Sequence, residues 1–317
     1  MSAAHVIAVD LGGTKLAAGL VDRSGAVARR AVERTDLAGE EAVLAQIERV
    51  IAGLADDGFA ALGVGVPSTI DQRVGRAVTS VNIPLADVRL RDRLERRFGV
   101  PVQLENDGNA AAVAEHRLGA ARGARHVVML TLGTGVGGGL ILNDRLYRGA
   151  IGAAGELGHI TIDVNGPPCQ GACPGRGHLE ALASGLAADR LADRAATERP
   201  DGDLGRAAAA GRVVDPRLLV ELASAGPGDA RDVLDHVGFH LGVGIASLVN
   251  VFDPEIVVVG GGFSDAGDLL LDSARKVVRE WALEPARDEA RIVPAELGSE
   301  AGLVGAALVA FDALDQA

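Results

Sequence analysis

Apolar positions along this chain fall into two rhythms. Short, nearly continuous apolar runs at residues 6–9, 16–21, 62–66 and 102–104 predict strands, while the wider spacing at 40–54, 89–98 and 110–118 predicts helices. The strand pattern restarts at 126–131. Residues 149–180 show no period and form the longest irregular stretch, rich in glycine and holding both cysteines. From 181 to 239 the chain is rich in Ala, Leu and Arg at helical spacing. A buried strand at 256–259 then runs into a glycine turn at 260–262, and 303–314 read as a helix.

The pattern also repeats. Residues 5–14 (HVIAVDLGGT) align without a gap on 126–135 (HVVMLTLGTG), and each run continues into a second apolar strand that ends at Asp22 or Asn143. Each copy reads as a strand, a Gly/Thr turn and a returning strand, which predicts a duplicated α/β domain with a ligand held between the copies. Chance likeness of two glycine-rich hairpins is the alternative. Glycine turns suit phosphate, because their N–H groups can converge with no Cβ in the way. No Gly-Lys pair occurs, so a Walker-type loop is excluded. Residues 133–138 match G-x-G-x-x-G, but a strand-like run follows where a dinucleotide site needs a helix. Lys15 and Lys276 are the only lysines in an arginine-rich chain. Lys15 stands directly behind Gly12, Gly13 and Thr14, where a compact ammonium can reach a phosphate, unless it is simply a surface lysine.

Composition narrows the picture further. A length of 317 residues suggests two domains, and 48% hydrophobic residues with 3% aromatic means cores built from Ala, Val, Leu and Ile. A net charge of -12 argues against nucleic acid as the main partner. The N-terminus lacks the basic and apolar regions of a signal peptide, and no apolar run approaches the roughly 18 residues of a membrane span. The expectation is a cytoplasmic protein without a disulfide framework or a membrane partner.

Two segments carry candidate chemistry. Asp107 lies between a strand and the helical run from Ala110, where a helix N-terminus would hold a carboxylate in its charged form, as a base accepting a hydroxyl proton requires. On those grounds alone, plain helix capping is its ordinary role. In the irregular stretch, His159, Cys169, Cys173 and His178 offer two imidazoles and two thiolates at short spacing, the donor set of a closed structural zinc site. The alternative is a loop with two free thiols.

Taken together, Asp10-Leu-Gly-Gly-Thr-Lys15, Glu105-Asn-Asp-Gly-Asn109, Leu132-Gly-Thr-Gly135, Gly155-Glu-Leu-Gly-His159, the cysteine loop with Leu179-Glu180, and the late glycines 260–262 resemble the ROK family of bacterial sugar kinases and related repressors. The likeness runs in family order over nearly the whole chain. It implies an actin-like (ribonuclease H-like) duplicated two-domain fold with the sugar in an interdomain cleft. The domains would be residues 1–119 joined by the helix 303–317, and 120–302 with the zinc loop at 159–180. It further implies ATP- and Mg²⁺-dependent phosphorylation of the 6-hydroxyl of a hexose, D-glucose first. Asp107 becomes the general base. Asn106, Glu156, His159 and Glu180 become sugar contacts, with Ser68 and Asn82 as weaker ones. Phosphate falls to Gly12, Gly13, Thr14, Lys15, Gly133, Thr134 and Gly135, adenosine to Gly261 and Gly262, and Asp10 orients Mg²⁺. The chain departs from the family's one His and three Cys in having three residues between its cysteines and His178 in place of the last Cys. The resemblance also suggests a homodimer or homotetramer. The rivals are a kinase for N-acetylmannosamine, fructose or allose, one using polyphosphate, and a sugar-responsive regulator. The last expects a helix-turn-helix segment ahead of Val6, for which the sequence shows no room.

Overall fold

The computed structural model describes residues 5–80, 83–171 and 173–316. In chain order the elements are β1 (Val6–Leu11), β2 (Lys15–Val21), β3 (Val27–Arg34), α1 (Glu40–Ala52), β4 (Leu62–Val66), β5 (Thr69–Asp71), β6 (Arg76–Thr79), β7 (Ala86–Val88), α2 (Leu90–Phe98), β8 (Val102–Asn106) and α3 (Asp107–Leu118). They continue with β9 (His126–Leu132), β10 (Val136–Leu142), β11 (Arg145–Leu146), α4 (Leu179–Ala183), α5 (Gly185–Glu198), α6 (Asp203–Ala209) and α7 (Pro216–Ala225). The last are α8 (Asp229–Phe252), β12 (Ile256–Gly260), α9 (Asp268–Trp281), α10 (Ala286–Glu289), β13 (Arg291–Pro294) and α11 (Ala301–Gln316).

Two five-stranded sheets share one topology, β3-β2-β1-β4-β8 and β11-β10-β9-β12-β13. The repeat extends to register: Asp10 pairs with Gly65 across β1 and β4, and Thr131, its counterpart in the sequence alignment, pairs with Gly260 across β9 and β12. A small antiparallel sheet, β5-β6-β7, has no apolar run to announce it.

By their contacts the residues group into two compact units, 1–125 with 139–155 and 296–317, and 126–138 with 156–295. The sequence reading placed 139–155 in the second domain. Local packing puts them in the first: the Gln72 N–H donates to the Ile151 carbonyl at 3.2 Å, and a Cβ on Gly139 would meet the Gly108 carbonyl at 2.9 Å.

In the first unit, strand alternation sorts side chains onto two faces of the sheet. Ile7, Val9 and Leu11 join a core with Ile47, Leu62, Val64, Leu94 and Leu104, whereas Val6 and Ala8 join Leu303, Ala306, Ala307, Ala310 and Phe311 of α11. Gly63 belongs to the same close packing, since a Cβ there would run into the Ala306 carbonyl of α11. In the second unit β12 lies parallel between β9 and β13. Helix α8, 24 residues, is long and apolar enough by length and composition to cross a membrane, a run the sequence reading did not find. It packs against α4, α5, α7 and α9, burying Leu234, Leu241, Ile245 and Leu248 as a core helix does.

Candidate active site

Register builds the site of the first unit. Because β1, β4 and β8 are parallel, Asp10, Gly65 and Glu105 lie in one row at their C-terminal ends, the edge where α/β sheets hold ligands. Asn106 and Asp107 follow directly. Asp10 stands on the α11 face, and a Cβ on Gly302 would come within 2.7 Å of its carboxylate. Burial, then the Asp107 charge, raise the Asp10 carboxyl to about 6; Lys15 pulls it down and Glu300 adds a smaller upward push. At the hairpin tip the Gly12 N–H donates to the Lys15 carbonyl at 2.8 Å, and the Thr35 hydroxyl donates to the Gly12 carbonyl at 2.6 Å. Gly13 is half-buried and Thr14 exposed.

At Asp107 the expectation needs correcting in two respects. The N-cap of α3 is Asn106, whose side-chain oxygen accepts the Asn109 N–H at 3.1 Å; Asp107 is the first helical residue. Nor does the helix terminus alone set its charge. Burial pushes the Asp107 carboxyl above the usual carboxylate range, against the pull of the Gly108 N–H donated at 2.9 Å and of Asn106. Ser68 is buried and its hydroxyl donates to the Thr79 carbonyl at 2.7 Å, so its proton is engaged by backbone. Asn82 lies outside the described residues.

Sequence reasoning left Glu105 without a role and passed over Arg148. Glu105 is 2% exposed and accepts from the Asn106 N–H at 3.1 Å, the Asn109 amide at 3.0 Å and Arg148 Nε at 2.7 Å. The pair clamps the turn that presents Asn106 and Asp107. The motif containing Glu105 was visible in the sequence; no spacing connects it to Arg148.

In the second unit, β9 and β10 meet at a tip closed by the Gly133 N–H donating to the Gly135 carbonyl at 2.9 Å, with Thr134 exposed. Gly261, at φ +87°, leaves β12 so close to Leu132 that a side chain would strike its backbone, and Gly262 opens the following turn. Gly133, Gly135, Gly261 and Gly262 thus gather at one sheet edge. Glu180, on the first turn of α4, accepts the Val136 N–H at 2.9 Å. Glu156 Oε2 lies 4.0 Å from His159 Nε2.

The four expected metal donors come together. His159 Nδ1 and His178 Nδ1 are 3.3 Å apart, Cys169 Sγ and Cys173 Sγ each lie 3.7 Å from His159 Nδ1, and Cys173 Sγ lies 3.6 Å from His178 Nδ1. All four donor atoms fall within 4.8 Å of one another. A tetrahedral ion bonded at zinc distances requires N···N edges of about 3.4 Å and N···S edges of about 3.6 Å. The donor set therefore fits zinc. Gly175 makes room for His178, since a Cβ there would overlap the imidazole. Neither cysteine forms a disulfide, and burial pushes the Cys169 thiol up to about 12.

Residues 6–313 match the ROK family, and the chain belongs to it. The glucokinase of Streptomyces coelicolor is 36% identical over 307 residues, 95% of this chain and 96% of the relative. That of Thermotoga maritima is also 36% identical over 307 residues, 96% of each. Among solved structures, a ROK family glucokinase from Streptomyces griseus in complex with glucose and AMPPNP superposes with a TM-score of 0.86 at 36% identity, covering 97% of this chain and 99% of its own. The ROK hexokinase of Thermus thermophilus gives 0.78 at 38%, covering 99% of this chain and 100% of its own. The fold is that of the actin-like sugar kinases.

Proposed function

We propose that this chain is an ATP-dependent hexokinase that transfers a phosphoryl group to the 6-hydroxyl of a hexose, D-glucose first. One observation carries the reading: two half-buried carboxylates, Asp10 and Asp107, share the C-terminal edge of the first sheet, and loss of solvent around them lifts both. A base whose pKa is raised toward the working pH accepts a hydroxyl proton more effectively, so Asp107 takes the proton of the sugar hydroxyl. Asn106 uses its carbonyl oxygen as a helix cap and one N–H of its NH₂ to pull on the Asp107 carboxyl, which leaves the second N–H for a sugar oxygen. Glu156, His159 and Glu180 take further hydroxyls, and Ser68 contributes only as an acceptor. The residues from Gly12 to Lys15 and from Gly133 to Gly135 hold phosphates, while Gly261 and Gly262 border the adenosine.

Mg²⁺ bound with the nucleotide would neutralise phosphate charge, and Asp10 is the residue to orient it. His159, Cys169, Cys173 and His178 hold a structural zinc whose four protein ligands leave no open position. The glucokinase relatives support the choice of sugar, and the S. griseus complex supports the choice of donor. Self-association as a dimer or tetramer is part of the proposal.

The test is a coupled assay with Mg·ATP or polyphosphate against glucose, N-acetylmannosamine, fructose and allose. Glucose with ATP is expected to lead. Another sugar ahead by more than tenfold in kcat/KM, about 1.4 kcal/mol of transition-state preference, would reassign the substrate. No phosphorylation of any sugar with either donor would overturn the reading.

A further inference from the structure

Two of the four metal donors, His159 and His178, stand within two residues of a group that touches the glycine hairpin at 133–136, and a third, Cys169, reaches it through Gln170, Ser184 and Gly185. His159 follows Gly158, which lies flush against the Val136 carbonyl; a Cβ there would overlap it. Cys169 precedes Gln170, whose amide donates to the Ser184 hydroxyl at 2.8 Å. Ser184 is fully buried and caps α5, and the next residue, Gly185, donates its N–H to the Gly133 carbonyl at 2.8 Å. His178 is the N-cap of α4, two residues before Glu180. The Glu180 carboxylate accepts the Val136 N–H and fills the space that a side chain on Gly135 would need, while its other oxygen lies 3.6 Å from the Cys169 sulfur. The tip is therefore held on both flanks, at the Gly133 carbonyl and at the Val136 N–H, by groups tied to residues beside metal ligands.

We infer that the metal loop is the template for the hairpin at 133–136, with Gln170 as a positioning residue, so that metal occupancy governs the affinity of this edge for the phosphates of ATP as well as sugar binding. The physical reason is entropic. A glycine tip has many conformations in reach, and its N–H groups converge on a phosphate only if the flanks are fixed beforehand. Without the ion, four donors held within 4.8 Å of one another no longer have a common partner, and the restraints on Gly158, Gln170 and Glu180 loosen together. The inference rests on reading the hairpin as a phosphate binder, and the experiment separates the two.

Three measurements on the full chain test it, with nucleotide binding read in the absence of sugar. Calorimetry with a non-hydrolysable ATP analogue should show affinity falling by about tenfold when zinc is stripped by a chelator and returning when zinc is restored. Hydrogen exchange, which needs no ligand, should show the amides of Gly133, Val136 and Gly185 losing protection by about tenfold on the same treatment. Gln170→Ala should retain about one zinc per chain yet bind the analogue several-fold more weakly, with glucose affinity within twofold of wild type. This variant decides the matter if the stripped protein unfolds. Unchanged exchange at the hairpin in folded, zinc-free protein overturns the inference, as does wild-type nucleotide affinity in zinc-loaded Gln170→Ala. A wild-type chain that binds no nucleotide, while its hairpin still loosens on zinc removal, overturns the kinase reading and upholds the coupling.

Discussion

Burial lifts both Asp10 and Asp107, with different consequences. For Asp107, Asp107→Asn preserves shape and removes the base. Turnover should fall by about 10²–10⁴ while glucose affinity stays within several-fold, measured by steady-state kinetics and calorimetry. Near-normal turnover would refute the assignment. For Asp10, the folded chain holds the proton to about 6, whereas the unfolded chain releases it near 3.8. Between those values the folded state binds more protons, so stability declines as pH rises through this window and then levels. Asp10→Asn should flatten that decline and raise the melting temperature at pH 7 while abolishing activity, a trade of function for stability. A thermal scan across pH checks it, and a variant less stable than wild type at pH 7 would contradict it.

At the scale of elements, α3 does more than present Asp107. Glu115, fully buried on the same helix, accepts the N–H groups of Ala120 and Glu296 through Oε2 at 2.9 and 3.1 Å, and that of Leu297 through Oε1 at 2.8 Å. Glu115→Ala takes the acceptor from three partly buried donors and should lower stability by on the order of 3 kcal/mol, read from the denaturant midpoint. Glu115→Gln should rescue it only in part, because its carbonyl oxygen can keep the Ala120 and Glu296 N–H groups while its NH₂ faces that of Leu297. A loss below about 1 kcal/mol in Glu115→Ala would show that water replaces the carboxylate. Periodicity made β1, β2, β4, β8, β9, β12, α1, α2 and α11 legible to within a few residues. It missed β3, an edge strand whose residues alternate between half-buried and exposed, with no apolar run. It also missed β5, β6 and β7, too short to show a period.

For the molecule as a whole, the candidate site was legible where its residues are neighbours in sequence. Asn106 beside Asp107, and two histidines with two cysteines in one loop, announce themselves by type and spacing. The Glu105–Arg148 pair, the Glu115 links to residues 296–297 and the Gln170–Ser184 bond were not legible, because each depends on a distance that only folding creates. The upward push on the Asp107 carboxyl escaped for a related reason: a helix terminus is visible in sequence, but the loss of solvent that opposes it is not.

The first unit is assembled from segments that the chain delivers at opposite ends of its synthesis. Val6, Ala8, Val21 and Ala61 are covered by Leu303, Ala306, Ala307, Ala310 and Phe311, and residues 156–295 of the second unit lie between them in sequence. Folding in order of emergence from the ribosome, the usual course for tandem domains, is closed to this unit. Its early strands must wait, one apolar face bare, until α11 is translated, and that interval is when the nascent chain is open to chaperones and to aggregation. The part of the protein made first is the part completed last.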